Sequence, residues 1–296
     1  MLFLSCNLCA GIETYFKKPT DKTGSHSMRN IDFIYVINLD ERPEKFASCV
    51  TQLHPYGISP FRFSAVNGWK LPLHIINDVG VKYTPSMRQG LMGTSYEMSD
   101  LPHHEVMHVT GRTYFSHCMS RGAIGIVLSH LSVLQDAYDS GYNTIWVMED
   151  DIHVIQNPHC ISSLIDKLNT LVGKDKWDIL FTDQDTKNQQ GNYVPCTSYA
   201  QRPNFSPPRP ARFAKRAQIN PDFRKIGARY GAYSMIVRRS GMEKILNFIK
   251  QHCIFLPYDM EFYLPRNMRI YAVTSDIVST QINAISDNGA PRYAGA

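Results

Sequence analysis

The sequence predicts an α/β fold, a single domain over residues 30–296 built on a mixed, mainly parallel central sheet flanked by helices. Three observations lead there. IDFIYVINLD, residues 31–40, is apolar on both faces, as a strand in the middle of a covered sheet must be. ERPEKFASCVTQL then places Phe46, Val50 and Leu53 at helical spacing. FRFSAVNG alternates and ends on a glycine, so the first ordered stretch is β-α-β, the unit that brings a crossover helix with it.

The remaining elements follow in order. Residues 68–121, rich in Gly, Pro, Met and His, lack a long period and predict an irregular insertion. In GAIGIVLSHLSVLQDAYDSGYN, a strand-like run gives way to a helix opened by Ser129 and His130. Leu131, Leu134, Ala137 and Tyr138 share a face, and Gly141 is its stop. TIWVME is the next buried strand, ISSLIDKLNTLV a helix and WDILFTD a strand ending on an acid. Residues 184–229 predict a second irregular insertion, because RPNFSPPRPARFAKR is broken by prolines. YGAYSMIVRR reads as strand. SGMEKILNFIKQH reads as a helix with a capping box from Ser240 to Glu243, and MRIYAVTSDIVSTQI supplies two short strands.

Composition bounds the function. At 296 residues, 43% hydrophobic and 19% charged, the chain has the balance of a folded protein, and no run approaches the roughly 20 apolar residues of a membrane span. Residues 1–29 read as a weakly ordered leader without the basic start of a secretory signal. Seven scattered cysteines, with one C-x-x-C pair at Cys6 and Cys9, fit free thiols in a reducing, cytoplasmic compartment. The formal charge of +5 is concentrated in one Pro-broken segment: Arg202, Arg209, Arg212, Lys215, Arg216, Arg224, Lys225 and Arg229. It suits a lid over a diphosphate, a peripheral contact with phosphorylated glycolipid at the inner membrane face, or a solvated loop. No nucleic-acid motif accompanies it.

Two stretches compete as metal sites. HEVMH, residues 104–108, matches the H-E-x-x-H of zinc hydrolases, which requires a helix to set the two histidines on one face. Pro102 and Gly111 leave little room for that helix. In TIWVMEDD, Glu149, Asp150 and Asp151 lie at the end of a buried strand, where open α/β sheets bind ligands. Continued extension would put Glu149 and Asp151 on one side. Their oxygens suit Mn²⁺ or Mg²⁺ shared with substrate phosphates, as a nucleotide sugar would present. The alternative is a cluster of helix-capping acids.

IYVINLDERPEKF, FRFSAVNG, RGAIGIVLSHLSVLQDA, WVMEDDI, WDILF, GAYSMIVRRSGMEKIL and PYDMEF together resemble glycosyltransferase family 25, in the family's order over residues 31–283. These are bacterial lipooligosaccharide glycosyltransferases and relatives that galactosylate collagen. The resemblance implies a GT-A-like fold, a UDP-sugar donor, a divalent cation, inversion at the anomeric carbon, and an oligosaccharide or glycolipid acceptor. It implies metal ligation by Asp151 and Glu149, with Asp150 on ribose or sugar, and Asn38, Leu39 and Arg42 around base and ribose, unless Arg42 is an ordinary exposed residue at a helix start. Ser129 and His130 would touch the donor or pack internally. Asp259 would be the base, unless it merely pairs with Arg266 or Arg269. Asp183 is its rival, Glu261 stands beside it, and Tyr230, Gly231 and Tyr233 line the pocket or the core. A zinc hydrolase using HEVMH and a catalytically inactive sugar-binding relative are the competing classes.

Overall fold

Burial on both faces is what the apolar runs demanded, and the sheet provides it. In the computed structural model, which describes residues 11–97 and 99–293, strand β1 (Phe33–Asn38) is buried along its length. Phe33, Tyr35 and Ile37 enter one core, Ile34 and Val36 a second on the opposite face. Helix α1 (Pro43–Leu53) has proline in its first turn, where the missing N–H has no partner to lose. Strand β2 (Phe61–Ser64) returns parallel to β1.

The first insertion is more regular than its composition suggests. Helix α2 (Leu73–Val79) leads into β3 (Val81–Lys82), β4 (Met92–Ser95), β5 (His103–Val106) and β6 (Thr113–Ser116). These form an antiparallel sheet in the order β3-β6-β4-β5. Strands of two to four residues are too short to display an alternation, so the sequence reads as irregular.

Helix α3 (Arg121–Asp139) absorbs the run expected to be strand-like. Ala123, Ile124, Gly125, Val127 and Leu128 are all buried, so their unbroken apolarity reflects a helix covered all round. Ser120 caps it, accepting from Ala123 N–H at 2.9 Å, and Gly141 ends the turn at φ 77°. Strand β7 (Thr144–Glu149) is followed by β8 (Ile152–Val154), α4 (Cys160–Val172) and β9 (Ile179–Phe181).

The second insertion also contains strands, β10 (Arg216–Gln218) and β11 (Phe223–Ile226), which extend the sheet edge. Then come β12 (Ser234–Arg238), α5 (Arg239–His252), α6 (Tyr258–Glu261), β13 (Ile270–Val273) and β14 (Val278–Thr280). The expected capping box does not form. Ser240 lies inside α5 and its hydroxyl donates to Asp178 Oδ1 at 2.6 Å.

The eight-stranded sheet runs β10-β11-β13-β9-β12-β7-β1-β2. Pairs β1·β2, β1·β7 and β13·β9 are parallel, while β10·β11, β11·β13, β12·β7 and β12·β9 are antiparallel. The sheet is mixed, and mainly antiparallel by pairing rather than mainly parallel. Apolarity on both faces reports burial, not direction, and β12 is a fully buried strand that runs backwards.

The first ten residues, with Cys6 and Cys9, lie outside the described residues. From Gly11 onward the predicted leader packs on the domain. Ile12 and Phe16 join the core, Lys17 N–H donates to Ser132 Oγ at 2.9 Å, and Lys22 pairs with Asp136 at 2.8 Å. The described cysteines, Cys49, Cys118, Cys160, Cys196 and Cys253, are unbridged, and no helix among the described residues is long and apolar enough to cross a membrane.

Candidate active site

β1 and β7 are parallel neighbours, Ile37 opposite Glu149, so their carboxyl ends open on the same side of the sheet. A cleft of roughly 670 Å³ lies there, partly open to solvent. Apolar Ile37, Leu39, Ala65 and Ile126 line it together with Trp69 and the carboxylates Glu149, Asp150 and Asp151.

The acidic triplet reaches the cleft by a turn rather than by strand periodicity. β7 stops at Glu149, and Asp150 and Asp151 turn the chain into β8. Each has a different environment. Glu149 Oε1 meets His130 Nε2 at 2.9 Å. Asp150 accepts from Asn38 Nδ2 at 2.7 Å and faces Lys45 at 3.7 Å, yet burial keeps its carboxyl above the usual range. Asp151 Oδ1 is buried and finds no hydrogen-bond partner among the described residues. Burial, then the charges of Glu149 and Asp150, push the Asp151 carboxyl up to about 7. Glu149, Asp150 and Asp151 are adjacent at this strand end and one keeps an orphaned oxygen, although among the described residues no group of three or more His, Cys, Asp or Glu is arranged to hold a metal ion.

The predicted residues divide sharply. Asn38 is a brace. Its amide nitrogen also donates to Arg42 O at 2.8 Å and its oxygen accepts from Arg62 at 2.7 Å. Arg42 is not an exposed helix-start residue, since it donates to Asp287 at 2.7 and 2.9 Å. Ser129 lines the cleft and ties Val66 N–H to Gly125 O, at 2.8 and 2.7 Å. His130 is buried and stacks on Tyr258 with centroids 4.1 Å apart, while its Nδ1 has no partner among the described residues.

Asp259, at the start of α6, accepts from Gly231 N–H at 2.9 Å. Burial raises its carboxyl, with Glu149 contributing in the same direction. It does not pair with Arg269, which is committed to Asp178. Tyr230 is half-buried, and its carbonyl accepts from the Thr186 hydroxyl.

The others are structural. Asp183 is fully buried, accepting from Arg229 at 2.6 Å, Tyr233 at 2.7 Å and Ser279 at 2.8 Å, so it has no free face for an acceptor. Tyr233 belongs to that cluster. Glu261 is buried against Arg202 and accepts Leu256 N–H at 2.8 Å and Phe255 N–H at 3.1 Å. Neither Asp183 nor Glu261 fits the catalytic role expected of it.

The basic segment turns inward as well. Arg202 and Arg229 are buried in ion pairs, Arg216 pairs with Asp185, Arg212 donates to the carbonyls of residues 263–265 and Arg224 to Gln184 O. Most of its charge braces a loop instead of forming a lid.

HEVMH begins on strand β5, not on a helix, so its two histidines cannot share a helical face. His104 bonds Thr94 at 2.9 Å and His108 the Val106 carbonyl at 2.8 Å. Burial alone would raise Glu105, but hydrogen bonds from Tyr114 and Arg112 hold it at about 2. That removes the helical zinc site.

Several cleft residues escape sequence reading: Lys45, Asn67, Gly68, Trp69, Asp287 and Asn288. Only the paired glycines Gly68 and Gly125 carried a signal. A Cβ on Gly125 would lie 2.5 Å from Gly68 N, and one on Gly68 would lie 1.9 Å from Arg121 O. The wall bearing Trp69 therefore sits backbone-to-backbone on α3.

A mixed α/β sheet with a polar, carboxylate-lined cleft beyond parallel strand ends is the class of fold that binds ligands at that position. The family comparison makes the class specific. The family described as glycosyltransferase family 25 (LPS biosynthesis protein) matches residues 31–262, and the chain belongs to that family. A glycosyltransferase 25 family member of Aedes aegypti is 26% identical over 168 residues, 56% of this chain and 22% of the relative. An inactive glycosyltransferase 25 family member 3 of Mus musculus is 24% identical over 166 residues, 55% of this chain and 24% of the relative. The chain thus spans less than a quarter of these relatives' length. Among solved structures, A197 from STIV aligns with 86% of this chain and 95% of its own at 11% identity and a TM-score of 0.34, too low to carry an argument.

Proposed function

We propose that the chain is a metal-dependent, inverting glycosyltransferase of GT-A type that moves a hexose, such as galactose, from a UDP-sugar to a saccharide acceptor of the lipooligosaccharide kind. One observation carries this reading. The acidic turn at the end of β7 holds a buried, unpartnered Asp151 oxygen in a cleft that Trp69 also lines.

Single displacement needs a base for the acceptor hydroxyl and charge relief for the departing diphosphate. Asp259 suits the first task, because a carboxyl raised by burial holds a proton better than an exposed one. Asp151 and Glu149 would hold Mn²⁺ or Mg²⁺, which supplies neutralisation of the diphosphate. Lys45 lines the same cleft and adds a fixed positive charge. His130, locked by Tyr258 stacking, orients Glu149. Asn38 orients Asp150.

The test is UDP release from a panel of UDP-sugars with Mn²⁺, with Mg²⁺ and with EDTA. Metal-dependent release from one donor, lost in Asp151→Ala and retained in His104→Ala, is expected. Equal release by Asp151→Ala and wild type would remove the metal assignment. A second reading, a sugar-binding relative without turnover, is favoured by the name of the mouse relative, which is called inactive. Under that reading UDP binds but no donor is turned over with any acceptor.

A further inference from the structure

The segment that follows β14 does not leave the domain. Gln281 N–H donates to Asp151 O at 2.9 Å, beside the acidic turn. The chain then crosses the mouth of the cleft. Lys45 Nζ donates to Ile285 O at 2.8 Å. The Asp287 carboxylate takes both bonds from Arg42 and stands 3.6 Å from Lys45, and its carbonyl accepts from Trp69 Nε1 at 2.8 Å. Asn288 O accepts from the Ser120 hydroxyl, and Asn67 Nδ2 donates to Tyr293 OH at 2.8 Å. The crossing is close: a Cβ on Gly122 would lie 2.5 Å from Asn288 O. These bonds join the segment to α1, to the Trp69 wall and to α3, three separate sides of one cavity.

The charges give this crossing a purpose. Glu149, Asp150, Asp151 and Asp287 all line the cleft, while Lys45 is the sole Lys or Arg among its described lining residues. A diphosphate entering such a cavity meets mostly like charge, and the position of that one ammonium decides much of its affinity. A lysine side chain is long and flexible, so an unbraced Lys45 would collapse onto Asp150, the nearest carboxylate within the core of the site. The segment opposes this pull: Lys45 Nζ donates to the Ile285 carbonyl at 2.8 Å and stands between Asp287 at 3.6 Å and Asp150 at 3.7 Å. Arg42 in turn holds Asp287: its Nη1 donates to both carboxylate oxygens, at 2.9 and 2.7 Å.

We infer that residues 281–293 form an integral wall of the donor pocket, and that Asp287, held by Arg42, is a positioning residue that aims Lys45 at the donor's diphosphate. The inference rests on the donor reading above and adds a residue and a segment to it. Asp287 touches no reacting atom in this scheme. It acts through Lys45, and the Asp287 carbonyl acts through Trp69.

The experiment is titration of the whole chain with UDP in the presence of Mn²⁺, followed by donor KM and kcat, for wild type, Asp287→Ala, Asp287→Glu and Trp69→Phe. Asp287→Ala is expected to weaken UDP binding and raise donor KM by about tenfold or more, with kcat at saturating donor changed far less. Asp287→Glu keeps the charge and is expected to recover most of the affinity. Trp69→Phe keeps an aromatic ring at the wall but loses the indole N–H bond to the Asp287 carbonyl along with part of the ring's bulk, and should weaken UDP a few-fold. It also serves if Asp287→Ala does not fold. A purely structural role would lower the melting temperature and kcat without the selective rise in KM, and would overturn the inference. UDP affinity unchanged in both Asp287→Ala and Trp69→Phe would overturn it alone, while absence of UDP binding by wild type would sink the donor reading and the inference together.

Discussion

Arg202→Ala separates two meanings of the basic segment. If its arginines close over a diphosphate, the substitution should raise donor KM and leave stability intact. The structure says otherwise. Arg202 and Glu261 each expose only about 1% of their side chains, and Arg202 also donates to the carbonyls of His252 and Cys253 at 2.6 and 2.8 Å. Removing the guanidinium strands a carboxylate that burial already pushes upward, with Arg202 as the chief opposing influence. Breaking a buried pair from one side costs about 3–5 kcal/mol. At roughly 2 °C per kcal/mol for a domain of this size, the melting temperature should fall by roughly 6–10 °C. Adding Glu261→Gln should recover part of that loss, because the stranded charge disappears while an amide oxygen remains for the Phe255 and Leu256 N–H groups. Arg209→Ala, at an exposed position of the same segment, should change nothing measurable. Thermal denaturation and donor kinetics on the same preparations decide the matter. An Arg202→Ala protein that melts with wild type but shows a several-fold higher donor KM would refute the structural reading and restore the lid.

Two further outcomes follow from packing and charge. Gly125→Ala would place a Cβ 2.5 Å from Gly68 N and 2.6 Å from Val66 O, backbone atoms that cannot swing aside. It should cost about 1–3 kcal/mol and weaken UDP binding by shifting the Trp69 wall, as read by melting temperature and titration. Asp178 gives a pH signature. Burial raises its carboxyl, but bonds from Arg269, Lys244 and Ser240 more than offset this and hold it below the usual range. A depressed folded-state value contributes stability above the unfolded value of about 3.9, and that contribution fades as pH falls through the folded value. The melting-temperature gap between wild type and Asp178→Asn should therefore be steady from pH 7 to 5 and shrink below pH 4. A gap that stays constant to pH 3 would remove Asp178 from the account.

The buried strands were legible because burial on both faces leaves a continuous apolar record: Phe33 to Ile37 and Ile145 to Met148 could not be solvent-facing. Strand direction left no such record, so the reversal of β12 was invisible. The same ambiguity misread the start of α3, where residues buried on every side look like a strand for as long as the window is short. In the insertions the opposite problem arose. Four-residue strands such as β4 and β6 carry too few side chains to show a period, and their pairing is a long-range fact.

The site was half legible for a related reason. Glu149, Asp150 and Asp151 are adjacent in the chain and sit at an element boundary, so chemistry and position coincide in one short string. Asp183, Glu261 and the arginines shared the same residue types, and sequence cannot tell a carboxylate aimed at a cleft from one aimed at a buried guanidinium. Partner identity makes that distinction. Asp183 has Arg229, Tyr233 and Ser279 across both oxygens; Glu261 Oε1 has Arg202 and two backbone N–H groups, while its Oε2, like Asp151 Oδ1, has no partner among the described residues; of these two acids only Asp151 lines the cleft. A buried acid with all its bonds made is consumed by the fold, whereas one left short retains free energy for a ligand to recover. Among the cleft-lining carboxylates, Asp151 is the one with a buried oxygen left short, and the proposed metal ligation rests on it. Asp287 lies between these cases, bonded to Arg42 and paired with Lys45, the cation of the same cleft. Its partners Arg42 and Lys45 lie more than 240 positions away in sequence, which is why no local pattern around it could announce a role.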